Sequence, residues 1–155
     1  MALIAVPTPA AGATFSGARV TKSASQSLTS GTWTVLTFNT EQFDVGAYHD
    51  TGANTSRLTI PAGKSGYFLV YGAVEFAPNA TGVRQLALLK NGSDVLLSQD
   101  GATTGTYRAG RQVAIIINAV ATDYFELSCR QDSGSTVVVE GGTDSANFCI
   151  TYLGA

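Results

Sequence analysis

Charge is what this 155-residue chain has least of: Asp, Glu, Lys and Arg make up only 13% of it, about half the share usual in a globular domain. The nine basic residues are scattered as Arg19, Lys22, Arg57, Lys64, Arg84, Lys90, Arg108, Arg111 and Arg130, and the formal net charge is -2. No basic stripe forms, so the composition argues against nucleic acid as a partner. Histidine occurs once, at His49, and cysteine twice, at Cys129 and Cys149. Two cysteines are too few for a disulfide framework and lack metal-site spacing, so they read as small buried hydrophobes. No apolar run approaches the ~20 residues of a membrane-spanning helix. The opening MALIAVPTPAAGA has no basic residue ahead of its apolar stretch, so no secretion signal and no membrane segment is expected. Helical periodicity is missing as well: after residue 13 no stretch of about ten residues sustains it free of Gly or β-branched clusters.

What the chain does have is short alternating apolar runs, 45% hydrophobic residues and 17 glycines. Strands are expected at 14–20, 32–38, 41–48, 57–60, 66–77, 83–90, 95–98, 111–121, 123–131, 135–140 and 147–153. Turn residues separate them at Asn91-Gly92, Asp100-Gly101, Ala109-Gly110, Asp132-Ser133-Gly134 and Gly141-Gly142. About ten short strands at this spacing predict an all-β, two-sheet antiparallel jelly-roll sandwich in a single domain. Residues 1–13 read as an extended arm ahead of a domain over 14–155, because Pro7 and Pro9 lie among small residues. The arm's Leu3, Ile4 and Val6 would either dock on another surface or fray.

Catalysis finds little support. YHDTGANTS (48–56) and RQDSG (130–134) each hold an Asp-Thr/Ser-Gly triplet, the spelling of an acid-protease carboxylate pair. Apolar strand residues would have to precede such aspartates, whereas Tyr48-His49 and Arg130-Gln131 do. Both triplets therefore read as turns in which Asp caps the backbone. GKSGYF is not a nucleophile elbow, EGGTDS precedes a strand and not a helix, and His49 has no second His or Cys placed to share a metal. Asp94, Asp100, Asp123, Asp132 and Asp144 stand singly on separate loops, without the dense oxygen run of a calcium loop. No enzyme, cofactor or metal is expected.

Two strands are apolar on both faces: GYFLVYGAVEF (66–76) and VAIIINAV (113–120). An outer sandwich strand shows polar residues on one face, so a partner subunit is expected to cover the second one. Four segments then carry a family resemblance: TFSGARV, LTIPAGKSGYFLVYGAVEF, VRQLALLKNGS and SANFCITYLGA. In order and spacing they resemble the opening, Pro-then-Gly-aromatic, basic-ended aliphatic and closing strands of one superfamily. It contains the globular heads of complement component one, subcomponent q, and the tumour necrosis factor ligands. The resemblance covers about 14–154. Departures are two extra residues after Pro61, Cys149 where glycine is usual, and Leu58 for a frequent phenylalanine. No collagen-like repeat accompanies it, so a complement role is not implied.

What the resemblance implies is a homotrimer in which one sheet faces the threefold axis. By position, Tyr67, Leu69, Tyr71, Ala73, Gln112, Ala114, Ile116, Asn118, Cys149, Thr151 and Leu153 would face neighbouring subunits. Phe148, Ile150 and Tyr152 would enter the core, and the two cysteines would remain unbonded to each other. The weakly charged, Gly/Ser/Thr-rich composition resembles virion proteins. The expectation is therefore a structural or adhesion module on a bacteriophage particle: a capsid decoration, head fibre or tail tip folded in the host cytoplasm. The arm would seat it on the larger virion assembly and its loops would meet a host glycan or protein. Two alternatives are a carbohydrate-binding module using Trp33, Tyr48 and Tyr107, and a secreted signalling ligand of the tumour necrosis factor type.

Overall fold

The computed structural model describes residues 14–155, and they form strands alone. These are β1 (Gly17–Thr21), β2 (Gln26–Leu28), β3 (Thr34–Val35), β4 (Thr40–Val45), β5 (Arg57–Thr59), β6 (Ser65–Phe76), β7 (Val83–Lys90), β8 (Ser93–Gly101), β9 (Ala109–Val120), β10 (Tyr124–Gln131), β11 (Val137–Val139) and β12 (Ala146–Gly154). One sheet has seven strands, ordered β2-β11-β6-β12-β1-β4, with β9 also paired to β6. The other has five, ordered β3-β10-β7-β8, with β5 also on β10. All pairings are antiparallel. The result is the all-β jelly-roll sandwich that the alternation predicts. The arm and its Leu3, Ile4, Val6, Pro7 and Pro9 lie outside the described residues.

Period-two alternation decides which side chains enter the core. On β6, Phe68, Val70, Val74 and Phe76 point inward, and β12 contributes Phe148 and Ile150. From the other sheet Leu86, Leu88, Phe125, Leu127 and Cys129 meet them, all fully buried. Each large apolar side chain so enclosed contributes roughly 1.5–3 kcal/mol. The sheets approach closely at Gly72, where an added Cβ would lie 2.6 Å from both methyl carbons of Leu127. A tight Asn91-Gly92 turn joins β7 to β8, with φ of 52° and 79°, the left-handed pair that a two-residue hairpin of this twist requires.

The inward row of β7 is aliphatic only in its middle. Arg84 is fully buried at one end, with Nη1 donating to the Thr81 and Val83 carbonyls and Nη2 to the Asn79 carbonyl. At the other end Lys90 donates to the Asn118 carbonyl and pairs with Asp123 at 2.8 Å. Cations thus plug both ends of this row, held by backbone or carboxylate oxygens, while the buried Arg84 Nε finds no hydrogen-bond partner among the described residues.

Several boundaries differ from the sequence reading. The run 32–38 pairs in a ladder only at Thr34–Val35, because Leu36 and Phe38 turn into the core and donate to the carbonyls of Leu127 and Thr55. The run 41–48 stops at Val45, where Gly46 and Ala47 take positive φ of 127° and 60°. Asp100-Gly101 and Ala109-Gly110, read as turns, lie within β8 and β9: Gly101 pairs with Val83 and Gly110 with Glu75. β2 was not anticipated, since three residues, Gln26–Leu28, are too few to display a period.

Candidate functional site

Ladder registers place the outward face of the seven-stranded sheet in transverse rows. One row runs Phe43, Arg19, Cys149, Tyr71, Ala114 across β4, β1, β12, β6 and β9. The next runs Val45, Gly17, Thr151, Leu69, Ile116. Asn147, Ala73 and Gln112 form a third, and Tyr67 stands opposite Asn118. Every residue assigned by resemblance to a subunit contact on β6 and β9, together with Cys149 and Thr151, therefore shares this face. Leu153 is exposed beside them at the β12 bulge.

The face is apolar and uncovered. Tyr67 is 53% exposed, Ile116 61% and Leu153 52%. Phe15, Phe43 and Val45 extend it across β1 and β4, and none of these three was anticipated as a site residue. The Phe15 and Phe43 rings meet edge to face, centroids 5.6 Å apart. Alternation with Gln42 and Asp44 puts Phe43 and Val45 on one shared face but does not say which face that is. A strand's apolar residues are assigned to the core by default, and here the core side of β1 is already filled by Ala18 and Val20.

Toward one end the face becomes charged. Arg108 Nη1 lies 2.9 Å from Glu75 Oε2 and 3.0 Å from the Ser145 hydroxyl. A hollow beside it is lined by Ala73, Glu75, Arg111, Gln112 and Asp144. Cys149 sits within the face next to Arg19. Burial pushes its thiol up, against the opposing pull of the guanidinium, and so keeps it protonated and weakly nucleophilic. Cys129 is enclosed in the core with its thiol pushed up by burial, and both cysteines are free.

The residues weighed for catalysis occupy separate turns. Asp50 Oδ1 accepts from Gly52 N at 2.8 Å and Ala53 N at 3.0 Å, and these bonds lower its carboxyl pKa. Asp132 Oδ1 accepts from Val83 N, holding the loop before β7. The His49 side chain is fully buried. Its Nδ1 is 3.1 Å from Glu41 and its Nε2 3.3 Å from the Thr55 carbonyl. No group of three or more His, Cys, Asp or Glu among the described residues is placed to hold a metal ion. Of the aromatics considered for sugar stacking, Trp33 is 42% and Tyr107 71% exposed. Tyr48 is not available: the chain reverses at Gly46-Ala47 and sends its ring into the core, where its hydroxyl is 2.8 Å from that of Ser16.

No protein-family model matches the chain, and no curated protein matches it. Solved structures do. Murine APRIL at pH 5.0 and at pH 8.0 each superpose with a TM-score of 0.69 at 10% identity. The pH 8.5 structure gives 0.67, also at 10% identity. In each case 90% of this chain and 100% of the other are covered. APRIL is a jelly-roll protein of the tumour necrosis factor family. At that identity what is shared is the fold: nearly the whole of this chain follows the tumour necrosis factor-like jelly roll.

Proposed function

We propose that this chain is a non-catalytic binding module that works as a homotrimer of the tumour necrosis factor-like kind. It assembles through the outward face of the seven-stranded sheet and presents its second sheet and loops to a macromolecular partner. The observation that carries the proposal is the concentration of exposed apolar side chains on this one face, with Val45 and Phe43 on one side of Arg19 and Thr151 and Tyr67, Leu69 and Ile116 on the other. Monomeric soluble proteins seldom leave so extended an apolar surface open. The likeness in fold to murine APRIL supports the same reading, and it supports a ligand-type role more than a particle-bound one. The test is light scattering of the purified chain: a mass near three times 16.0 kDa is expected, and a monomer at micromolar concentration overturns the proposal.

A narrower placement is on a bacteriophage particle, as capsid decoration, head fibre or tail tip with residues 1–13 as anchor. It draws its support from the 13% charge and the Gly-rich composition. Deleting residues 2–13 is expected to leave the assembly intact and abolish attachment to the particle; retained attachment removes the arm from that role.

A further inference from the structure

The buried cation Lys22 has no anion of its own. It directly follows β1, is 5% exposed, and its Nζ lies 6.0 Å from the centre of the Phe38 ring. Its ammonium donates to two neutral oxygens, the Thr37 carbonyl at 2.8 Å and Gln26 Oε1 at 2.9 Å. An ammonium has three N–H groups, so one remains. None of the ion pairs among the described residues includes Lys22, and residues 1–13 contain no Asp or Glu to supply one. Burial lowers the Lys22 pKa, with the Cys129 thiol as the weaker, opposing influence. A buried charge balanced only by dipoles is costly, and a counter-ion relieves that cost.

Beside the ammonium lies a hollow of about 220 Å³ lined by Lys22, Ala24, Ser25, Gln26, Thr37 and Asn39. Both hydrogen-bond partners of Nζ belong to this lining, so the charge sits at its wall. One water takes about 30 Å³ of liquid, so the space exceeds what a single bridging water needs. Further donors are at hand. Asn39 Nδ2 uses one hydrogen on the Ser23 hydroxyl and Gln26 Nε2 one on the Val35 carbonyl, which leaves each amide a second hydrogen. One contact behind the lining stands a negative charge: Glu140 accepts from the Ser25 hydroxyl at 3.1 Å and is 3.8 Å from Arg108.

The geometry points to this hollow as a binding site for a small monoanionic carboxylate, with the Lys22 ammonium as counter-charge and the Asn39 and Gln26 amides as orienting donors. Glu140 sets the charge limit, since a dianion such as phosphate meets its carboxylate as a second negative group while a monoanion is matched by Lys22 alone. The site is independent of the assembly face, so its failure and that of the trimer proposal are separately visible.

The test is a nuclear magnetic resonance titration of the full chain with sodium acetate, against sodium chloride at equal ionic strength. Saturable shifts of the Gln26 and Asn39 side-chain amides are expected with acetate, several-fold weaker binding with phosphate at pH 8, and loss of the response in Lys22→Met. The Lys22 ammonium of the unaltered protein should also titrate at higher pH in acetate than in chloride. That measurement keeps the proposal falsifiable if Lys22→Met fails to fold. Non-saturating shifts, an unchanged response in Lys22→Met, or tighter binding of phosphate than of acetate each overturn it.

Discussion

On the outward face of the five-stranded sheet, Glu126 accepts from the Ser56 hydroxyl at 2.7 Å and from Arg57 at 3.2 Å. The Arg57 guanidinium stacks 3.8 Å from the centre of the Tyr124 ring. Arg130 reaches Gln85 at 2.7 Å, and Gln85 reaches Gln99 at 2.9 Å. Beneath these long side chains Ala87 and Ser128 are buried. On the outward face of the seven-stranded sheet, Leu69 stands between Thr151 and Ile116 with no comparable cover. The same strand alternation has thus produced one face screened by its own polar side chains, whose stems cover apolar surface, and one whose apolar side chains stand open. The proposed division, assembly on one sheet and display on the other, rests on that difference more than on any loop or pocket.

The largest effect should come from placing a carboxylate on the uncovered face. Tyr71→Glu, between Cys149 and Ala114 in its row, and Ile116→Glu are each expected to reduce the scattering mass from the trimer to the 16.0 kDa monomer, because every subunit would bury an unpaired charge at the contact. Leu97→Glu is the control. Leu97 is 48% exposed on the five-stranded sheet, where a new charge should alter neither mass nor stability by more than about 0.5 kcal/mol. Should Leu97→Glu dissociate the assembly, or Tyr71→Glu leave it whole, the contrast between the faces is wrong.

How far that contrast was legible in the sequence depends on strand length. Over the twelve residues of β6 and of β9, period two fixes which side chains share a face, so Tyr67, Leu69, Tyr71 and Ala73 separate from Phe68, Val70 and Val74 without ambiguity. In six-residue β4 a bulge opposite Arg19/Val20 interrupts the register, and nothing local says that Phe43 faces outward. Tyr48 was misplaced for a related reason: its burial follows from a reversal at Gly46-Ala47 that depends on Asp44 accepting from Tyr48 N and His49 N. Such side-chain-to-backbone closures are tertiary facts in all but spelling. Arg84 shows the same limit from the opposite side. Alternation groups it with Leu86 and Leu88, but only the carbonyls of Asn79, Thr81 and Val83 converging on it explain why a cation stays there.

A second, smaller effect separates core from face. Gly72→Ala would drive a methyl group into the Leu127 side chain. Overpacking of this kind is expected to lower unfolding free energy by about 1–3 kcal/mol in urea while leaving the assembly mass of the folded protein unchanged. Leu127 ends the clash if it is removed. In a Leu127→Ala background the further cost of Gly72→Ala should therefore fall close to zero, a coupling that a double-mutant cycle measures directly. Equal costs in both backgrounds would mean that the sheets do not meet where Gly72 and Leu127 place them.

The smallest effect concerns a clamp that joins the two sheets. Asp123 Oδ2 accepts from Lys90 Nζ at 2.8 Å and from Val120 N at 3.0 Å, and its Oδ1 accepts from Asn91 Nδ2 at 2.7 Å. Lys90 belongs to the five-stranded sheet, and through the Asn118 carbonyl it also holds β9 of the other. Desolvation raises the Asp123 pKa, but the bonds from Lys90, Asn91 and Val120 outweigh it and bring the carboxyl down from 3.8 to about 2. A carboxyl whose folded pKa is depressed contributes stability above its unfolded pKa, and loses it as pH falls toward the folded one. The clamp should therefore weaken as pH falls from about 4 to about 2, with an amplitude kept small by solvent around the group. Asp123→Asn keeps the shape and removes the titration, so its unfolding free energy should decline less steeply than that of the unaltered protein over this interval. Parallel slopes in denaturant melts across that range would show that Asp123 does not hold the sheets together through its charge.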